Sequence, residues 1–238
     1  MSFLRYLPDS LKERLRLRAG AVTMRSRLEN LRRAGFSPRQ IIDAGAYHGE
    51  WTQLAHTVFP LAHLLLIEPQ PALSVSLNLL CAGLPSARLR PCLLGRTEGE
   101  AAFLLQESNS RVVPTDYPAG HGESVVRIPV GTLAQIAREE GFEKCELLKL
   151  DLQGHELEAL AGAGEIFGKT EVILCEVSWL RIGDVPIVAE VLAAFTARGY
   201  RPYDVMGFNY RPLDRALWQT DFLFVLETSP LVTSRQWM

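Results

Sequence analysis

The sequence predicts a doubly wound α/β domain built on a seven-stranded, mostly parallel sheet. From Arg39 onward, short apolar segments alternate with segments of helical periodicity, which is the pattern of a parallel sheet covered by helices on both faces. Turn residues separate these segments: Pro69 and Pro71 follow an apolar one, and Gly141 and Gly199 each follow a helical one. The alternation and its punctuation together indicate one domain rather than two.

Seven strands and five helices make up the predicted domain. The strands are predicted at residues 40–44, 62–67, 87–93, 146–151, 171–177, 200–205 and 220–227. The helices are predicted at residues 49–58, 71–82, 132–140, 155–167 and 186–198. The alternation stops at residues 94–131, where strands at Gly99–Leu105 and Val125–Val130 flank a polar loop and form a β-hairpin insertion. Such an insertion indicates either a substrate-recognition element or an incidental surface hairpin.

Composition places the chain among globular proteins, because 47% of its 238 residues are hydrophobic and 22% are charged. Its apolar segments are far shorter than the roughly 20 residues that cross a bilayer, so we expect no membrane span. The N-terminus has no apolar segment with a cleavage site, which predicts a cytoplasmic protein. The four cysteines form no C-x-x-C pair and lie in or beside apolar segments, as buried free thiols do.

The first 38 residues are predicted to form a basic helical segment ahead of the main domain at residues 39–238. Residues 1–39 contain ten Lys or Arg against three acids, so they carry a charge of +7 and the rest of the chain −9. Apolar residues recur there at near-helical spacing, which predicts one or two amphipathic helices with a basic outer face. The pattern favours a solvated face over a phosphate or membrane contact, and a subunit interface of a homo-oligomer and an active-site lid are further alternatives.

A turn with two glycines joins the first strand to the first helix. Gly45 lets the backbone approach a ligand closely, and Gly49 opens the helix, whose free N–H groups bind carboxylate or phosphate. The G-x-x-x-G spacing matches neither the dinucleotide-binding motif nor a phosphate-binding loop. The turn therefore predicts a nucleotide-like ligand and disfavours hydride and phosphoryl transfer.

An acidic residue, Glu68, ends the second strand 25 residues beyond Asp43. A carboxylate at that place accepts hydrogen bonds from both hydroxyls of a ribose. Together the two acids fit an adenosine that carries a sulfonium better than one that carries a pyrophosphate, although either alone could cap a turn. The predicted cofactor-binding residues are Asp43, Gly45, Ala46, Tyr47, His48, Gly49, Trp51, Glu68 and Pro69.

Three polar residues in or just after the fourth and fifth predicted strands are the candidates for catalysis. Asp151 ends the strand at 146–151, His155 stands four residues later, and Glu176 lies in the strand at 171–177. Ligands of open α/β sheets bind beyond the carboxyl ends of the strands, where these side chains should meet. The carboxylates are compatible with a base, with a hydroxyl-orienting group or with a divalent metal site, and His155 is either a base or a polar residue at a helix start.

Three segments resemble, in order, those of the FkbM family of methyltransferases. They are residues 43–51 (DAGAYHGEW), 67–69 (IEP) and 148–163 (LKLDLQGHELEALAGA), followed by Glu176, and the resemblance covers roughly residues 39–227. It implies a class I methyltransferase fold, which is Rossmann-like. It also implies S-adenosylmethionine as methyl donor, S-adenosylhomocysteine as product and O-methylation of a hydroxyl on a sugar, glycan or secondary metabolite.

The chain departs from the pattern of this family at two positions. Tyr47 stands where the family usually has Asn, and Ala134 stands where it usually has Asp after Thr-Leu. These departures favour the alternative of a non-catalytic binding or scaffold protein with the same fold. A nucleic-acid substrate is disfavoured because the chain beyond its basic N-terminus is acidic and its pI is about 6.2. We therefore expect a small-molecule or glycan acceptor.

Overall fold

The computed structural model describes residues 23–118, 120–121 and 123–233. Its first element is helix α1 (Met24–Arg33), which a reciprocal pair of hydrogen bonds between Thr23 and Ser26 caps. Most of the predicted basic helical segment, residues 1–22, lies outside the described residues. The boundary at residue 38 stays a prediction.

Eleven strands form two sheets. In chain order they are β1 (Gln40–Ala44), β2 (His63–Ile67), β3 (Ala87–Arg90), β4 (Leu93–Leu94), β5 (Gly99–Leu105), β6 (Arg111–Val113), β7 (Ser124–Gly131), β8 (Leu147–Leu150), β9 (Val172–Ser178), β10 (Tyr200–Tyr210) and β11 (Leu217–Leu226). The main sheet has seven strands in the order β10-β11-β9-β8-β1-β2-β3. The strand order reverses between β1 and β8, so a crevice opens at the carboxyl ends of these two strands.

The main sheet confirms the predicted seven-stranded α/β fold, but it is mixed. Strands β3, β2, β1, β8 and β9 pair in parallel, whereas β11 is antiparallel to both β9 and β10. Only residues 211–216 separate β10 from β11. Because a parallel crossover needs a dozen or more residues, this short connection forces a hairpin.

Helices cover both faces of the main sheet, as predicted. After α1 they are α2 (Glu50–Val58), α3 (Ser74–Gly83), α4 (Leu133–Glu140), α5 (Glu156–Ala161) and α6 (Val188–Thr196). Buried residues of α1, α2 and α3 pack with Ile41 and Leu64 on one face. Those of α4, α5 and α6 pack with Ile42 and Leu65 on the other. Alternate strand residues thus supply two separate cores.

Helix α5 ends at Ala161, six residues before the predicted end at residue 167. Gly162 is its C-cap, and a Cβ there would lie 2.1 Å from the carbonyl oxygen of Gly95. Gly164 follows in the left-handed region, with φ +57°. A right-handed helix cannot continue through this left-handed residue, which the apolar periodicity did not reveal.

The insertion forms a second, four-stranded sheet in the order β4-β7-β5-β6. The predicted hairpin is present as β5 and β7, which pair antiparallel, and the structure adds β6 on the far side of β5. Strand β4 pairs with β7 in parallel, and it was predicted as the end of one strand at residues 87–93. Pro91 follows β3 directly and cannot donate a ladder hydrogen bond, which explains the break.

Two further expectations concern the whole chain. All four cysteines are free, and Cys92, Cys145 and Cys175 are buried as predicted, whereas Cys81 is only half-buried. None of the helices in the described ranges has the length and apolar character that crossing a bilayer requires.

Candidate active site

The turn after β1 brings two strand ends into direct contact. Gly45 has φ +80°, and a Cβ on it would lie 1.9 Å from the backbone oxygen of Asp151. The amide of Asp151 in turn donates a 3.0 Å hydrogen bond to the carbonyl of Ala44. Only glycine allows this approach, which places the predicted cofactor turn against the predicted catalytic segment.

The same turn continues through a strained residue into α2. Tyr47 has φ +47°, a left-handed conformation that Asn tolerates better than Tyr does. This conformation gives a physical reason for the Asn that the family usually has at this position. Gly49, at φ +77°, is the N-cap of α2, and a Cβ on it would lie 2.3 Å from Leu80 Cδ2. A side chain at Gly45 or at Gly49 would therefore be strained by the positive φ and would meet the Asp151 backbone or the Leu80 side chain.

Glu68 lies directly after β2, and its side chain is held by the backbone. One carboxylate oxygen accepts a 2.8 Å hydrogen bond from the amide of Tyr47, and the other accepts a 2.9 Å bond from the amide of Gln70. The residue is only 3% exposed, and burial raises its pKa although these backbone amides lower it. The carboxylate is thus preorganised beside the turn.

Asp43 forms a buried ion pair with Lys149. Their side chains approach to 3.1 Å, and the hydroxyl of Thr52 donates a 2.6 Å hydrogen bond to the other oxygen of Asp43. Lys149 also donates to the carbonyl of Gly45 at 2.8 Å and lies 3.5 Å from Asp151. Burial lowers the pKa of Lys149, but the two carboxylates together raise it above its ordinary value. Asp43 therefore supports the turn through Lys149, which contacts both.

A cavity of about 330 Å³ lies above these strand ends. Six predicted site residues line it: Gly45, Tyr47, Glu68, Pro69, Asp151 and Glu176. Six others do not: Asp43, Ala46, His48, Gly49, Trp51 and His155. The structure therefore brings together Glu68 after β2, Asp151 after β8 and Glu176 of β9, whereas half of the predicted residues do not line the cavity.

Gln153 connects the two candidate catalytic carboxylates. Its side-chain amide nitrogen lies 3.0 Å from Asp151 Oδ1 and 3.1 Å from Glu176 Oε2. The side-chain amide of Gln219, on β11, donates a further 2.9 Å bond to Glu176 Oε2. Gln153 has φ +52°, so its backbone is in the left-handed region, where strain often marks a functional site.

Three more carboxyl groups surround Asp151, and burial raises the pKa of each. The pKa rises to about 9 for Glu176, to about 7 for Asp221 and to about 7 for Glu156, with repulsion from Asp151 adding to the effect of burial. Asp221 lies on β11 directly opposite Glu176. The sequence prediction missed Asp221, although a charged residue within an apolar strand was the available signal.

Glu156 shapes the loop after β8. It is 5% exposed, and its Oε1 accepts hydrogen bonds from the amides of Leu152 at 2.8 Å and Gly154 at 3.2 Å. Gly154 has φ +96°, and a Cβ on it would lie 2.7 Å from a methyl group of Val185. Glu156 therefore fixes the loop that presents Gln153 to the cavity.

The predicted roles of three aromatic or imidazole side chains stay predictions. His155 is half-buried at the start of α5, and burial lowers its pKa. His48 packs edge-on against Tyr47, with ring centroids 4.2 Å apart. Trp51 lies below the turn with Lys149 6.0 Å from its ring centroid. All three are near the cavity without lining it.

The insertion forms part of the cavity wall. Phe103 and the segment 108–110 line it, together with Asn209, Trp218 and Gln219 of the β10–β11 hairpin. The Ser110 hydroxyl lies 3.1 Å from the side-chain oxygen of Gln70, the residue whose amide binds Glu68. The polar loop predicted from the sequence is therefore part of the cavity wall.

Metal binding stays untested. Within the described ranges, no three side chains of His, Cys, Asp or Glu are grouped so that they could hold a metal ion. The divalent metal that the paired carboxylates allowed therefore remains an expectation from sequence.

Several solved structures are similar to this one. The chain is similar to an FkbM methyltransferase from Methylobacillus flagellatus KT, with 18% identity and a TM-score of 0.53, over 79% of this chain and 44% of that one. The present chain thus spans less than half the length of that protein. It also aligns with a precorrin-6y C5,15-methyltransferase from Geobacter metallireducens GS-15 (9% identity, TM-score 0.47, over 84% and 86% of the two chains).

A third alignment is with an O-methyltransferase family protein from Burkholderia thailandensis (10% identity, TM-score 0.46, over 85% and 55% of the two chains). No curated protein matches the sequence. The model of the FkbM methyltransferase domain matches residues 43–202, which include the turn after β1, Glu68, Asp151 and Glu176. The chain therefore belongs to the FkbM methyltransferase domain family.

Proposed function

We propose that the protein is an S-adenosylmethionine-dependent methyltransferase that methylates a hydroxyl group of a sugar, glycan or secondary metabolite. The observation that carries this proposal is the geometry of Glu68. Each of its oxygens already accepts one backbone hydrogen bond, which fixes the carboxylate at the cavity wall. Because each oxygen has a further lone pair, the carboxylate can accept both hydroxyls of a ribose.

The electrostatics of Glu68 support a ligand that donates hydrogen bonds. Burial raises the pKa of this carboxyl, so its ionised form is undersolvated in the protein alone. Two ribose hydroxyls would replace the missing solvation. Gly45 and Tyr47 line the wall beside Glu68, where the amino acid end of the cofactor would lie.

When bound, S-adenosylmethionine supplies a methyl group on a positively charged sulfur, so the reaction is an in-line displacement. The protein then has to align the acceptor oxygen and remove its proton. We assign the proton to a side-chain oxygen of Asp151, which lines the cavity and lies 3.5 Å from Lys149. The lysine stabilises negative charge on Asp151, and the hydrogen bond from Gln153 orients it.

Glu176 has a different role in this proposal. Its pKa of about 9 keeps it protonated at neutral pH, so it adds no negative charge next to Asp151. Its hydrogen bonds with Gln153 and Gln219 hold these three lining residues in place. Asp151 is therefore the base, and Glu176 is a positioning residue.

The experiment that tests this function has two parts. Binding of S-adenosylmethionine and S-adenosylhomocysteine is measured by calorimetry, with adenosine diphosphate as the control ligand. The protein is then incubated with methyl-labelled S-adenosylmethionine and an extract of metabolites and glycans from its source cells, and mass spectrometry identifies labelled products. Binding with label transfer to oxygen supports the proposal. Binding without any transfer, or no binding at all, overturns it in favour of the non-catalytic alternative.

A further inference from the structure

A second cavity, of about 430 Å³, adjoins the first and is continuous with its wall. Asn109, Gln153, Trp218 and Gln219 line both cavities. Gln153 binds the proposed base, so the junction between the cavities is the place where an acceptor hydroxyl would approach. The second cavity therefore extends away from the reacting centre on the acceptor side.

The charges of the two cavities differ. Three carboxyl residues, Glu68, Asp151 and Glu176, line the first, whereas the second has none in its wall. Among the described residues, Arg111 is the only Lys or Arg that lines either cavity. Of the two cavities, as the described residues line them, the second is therefore the one with a positively charged side chain in its wall.

Arg111 is oriented without being neutralised. Its Nη1 lies 2.7 Å from the side-chain oxygen of Gln106 and 3.4 Å from the carbonyl of Asn109, both uncharged acceptors. In the described ranges, no carboxylate lies within ion-pair distance of it. Glu123 is instead bound by the Gln106 side chain at 2.9 Å and by the amide of Gly120 at 2.7 Å. The guanidinium thus keeps its charge and donor groups for a ligand.

The rest of the wall suits a compact ring or chain. Ile182, Val185 and Trp218 provide apolar surface, and Ser178 and Gln219 provide polar groups next to it. Apolar walls with a few directed polar groups are typical of small-molecule sites.

We propose that the second cavity binds the methyl acceptor and that Arg111 selects acceptors carrying an anionic group, a carboxylate or a phosphate, beside the hydroxyl that is methylated. This inference rests on the proposed function, because it assigns the acceptor side of the same site. A guanidinium binds either anion through paired, charge-assisted hydrogen bonds. Acidic sugars and hydroxy acids are the substrate class that this chemistry recognises.

The test uses protein saturated with S-adenosylhomocysteine and three probes: D-glucuronate, D-glucose 6-phosphate and D-glucose. Ligand-observed NMR measures their affinities for the wild type, Arg111→Gln, Arg111→Lys and the control Arg127→Gln, which alters an exposed residue of β7 away from both cavities. We expect at least one acidic sugar to bind the wild type about tenfold more tightly than glucose. Arg111→Gln should abolish this preference, Arg111→Lys should retain part of it, and Arg127→Gln should keep it in full.

The two acidic probes distinguish a carboxylate from a phosphate acceptor, and preference for either supports the proposal. Equal affinity for glucose and both acidic sugars overturns it, as does a preference that survives in Arg111→Gln. Binding of S-adenosylhomocysteine separates the two proposals: every variant should retain it within about twofold, since Arg111 lies outside the cofactor half. Loss of that binding in the wild type would refute the proposed function itself.

Discussion

Glu176 and Asp221 lie directly opposite each other on the antiparallel strands β9 and β11. Residues paired in this way point to the same face of a sheet, so two carboxyl groups meet beside Asp151 in a partly buried place. Burial raises the pKa of Glu176 to about 9 and that of Asp221 to about 7, and repulsion from Asp151 adds to both shifts. The protein therefore keeps protons on this pair at pH values where ordinary carboxyl groups are ionised.

This pair predicts that stability falls as the pH rises. A carboxyl whose pKa is raised by folding binds more protons in the folded state, so the free energy of unfolding decreases between its unfolded pKa, near 4.5, and its folded one. For Glu176 the window extends to about pH 9, with a slope of at most about 1.4 kcal/mol per pH unit. Glu176→Gln should remove much of this slope.

Urea unfolding at pH 6, 7, 8 and 9 measures the effect. The control is Glu143→Gln, which changes an exposed carboxyl and should leave the slope of the wild type unchanged. Parallel pH profiles for the wild type and Glu176→Gln would show that the pair does not titrate as stated.

The sequence was sufficient to predict the elements whose signals are local. Alternating apolar segments located every strand of the main sheet. The glycines of the turn after β1 predicted a close approach to a ligand, and the approach that the structure has at Gly45 is to the backbone of Asp151. Glu68 was found because it directly follows a buried strand. In each case, neighbouring residues in the chain carried the information.

Features that depend on pairing between distant segments could not be predicted in this way. Asp43 was assigned to the cofactor, but the partner that buries it is Lys149, more than a hundred residues away. Asp221 becomes significant only through its register with Glu176. The charge on Arg111 matters because the folded insertion turns it towards a cavity. Tertiary contacts, which one sequence does not contain, decide all three.

Replacing Glu68 should weaken cofactor binding. Glu68→Ala removes both proposed ribose contacts and leaves the amides of Tyr47 and Gln70 without their acceptor. We expect the Kd for S-adenosylhomocysteine, measured by calorimetry, to rise at least about tenfold. For Glu68→Gln, this Kd should lie at least halfway from that of the wild type to that of Glu68→Ala, because the NH2 group of the glutamine would face one of the two backbone donors. Glu143→Gln is the control, and an unaltered Kd in Glu68→Ala would exclude the ribose role.

Two variants separate the candidate bases. Asp151→Asn keeps the shape of the side chain but cannot take a proton, so turnover should fall by about a hundredfold or more while S-adenosylhomocysteine binding changes by less than about twofold. His155→Asn should retain most of the turnover, since His155 does not line the cavity. Label transfer from S-adenosylmethionine measures both. The reverse ranking, with His155→Asn the slower enzyme, would move the role of base to the histidine.

The contact between Gly45 and Asp151 predicts a large difference between two substitutions that are alike in sequence. Gly45→Ala and Gly35→Ala each place a side chain at positive φ, +80° and +95° respectively. The second has no atom within 4 Å of its new Cβ, whereas the first would meet the Asp151 backbone oxygen at 1.9 Å. Gly35→Ala should therefore cost only the backbone strain, about 1–2 kcal/mol. Gly45→Ala should cost at least about 2 kcal/mol more, because the ends of strands β1 and β8 must separate.

Urea unfolding of both variants measures this difference. Equal destabilisation would mean that the turn can relax without moving Asp151, and the candidate active site would then not depend on the glycine that begins it.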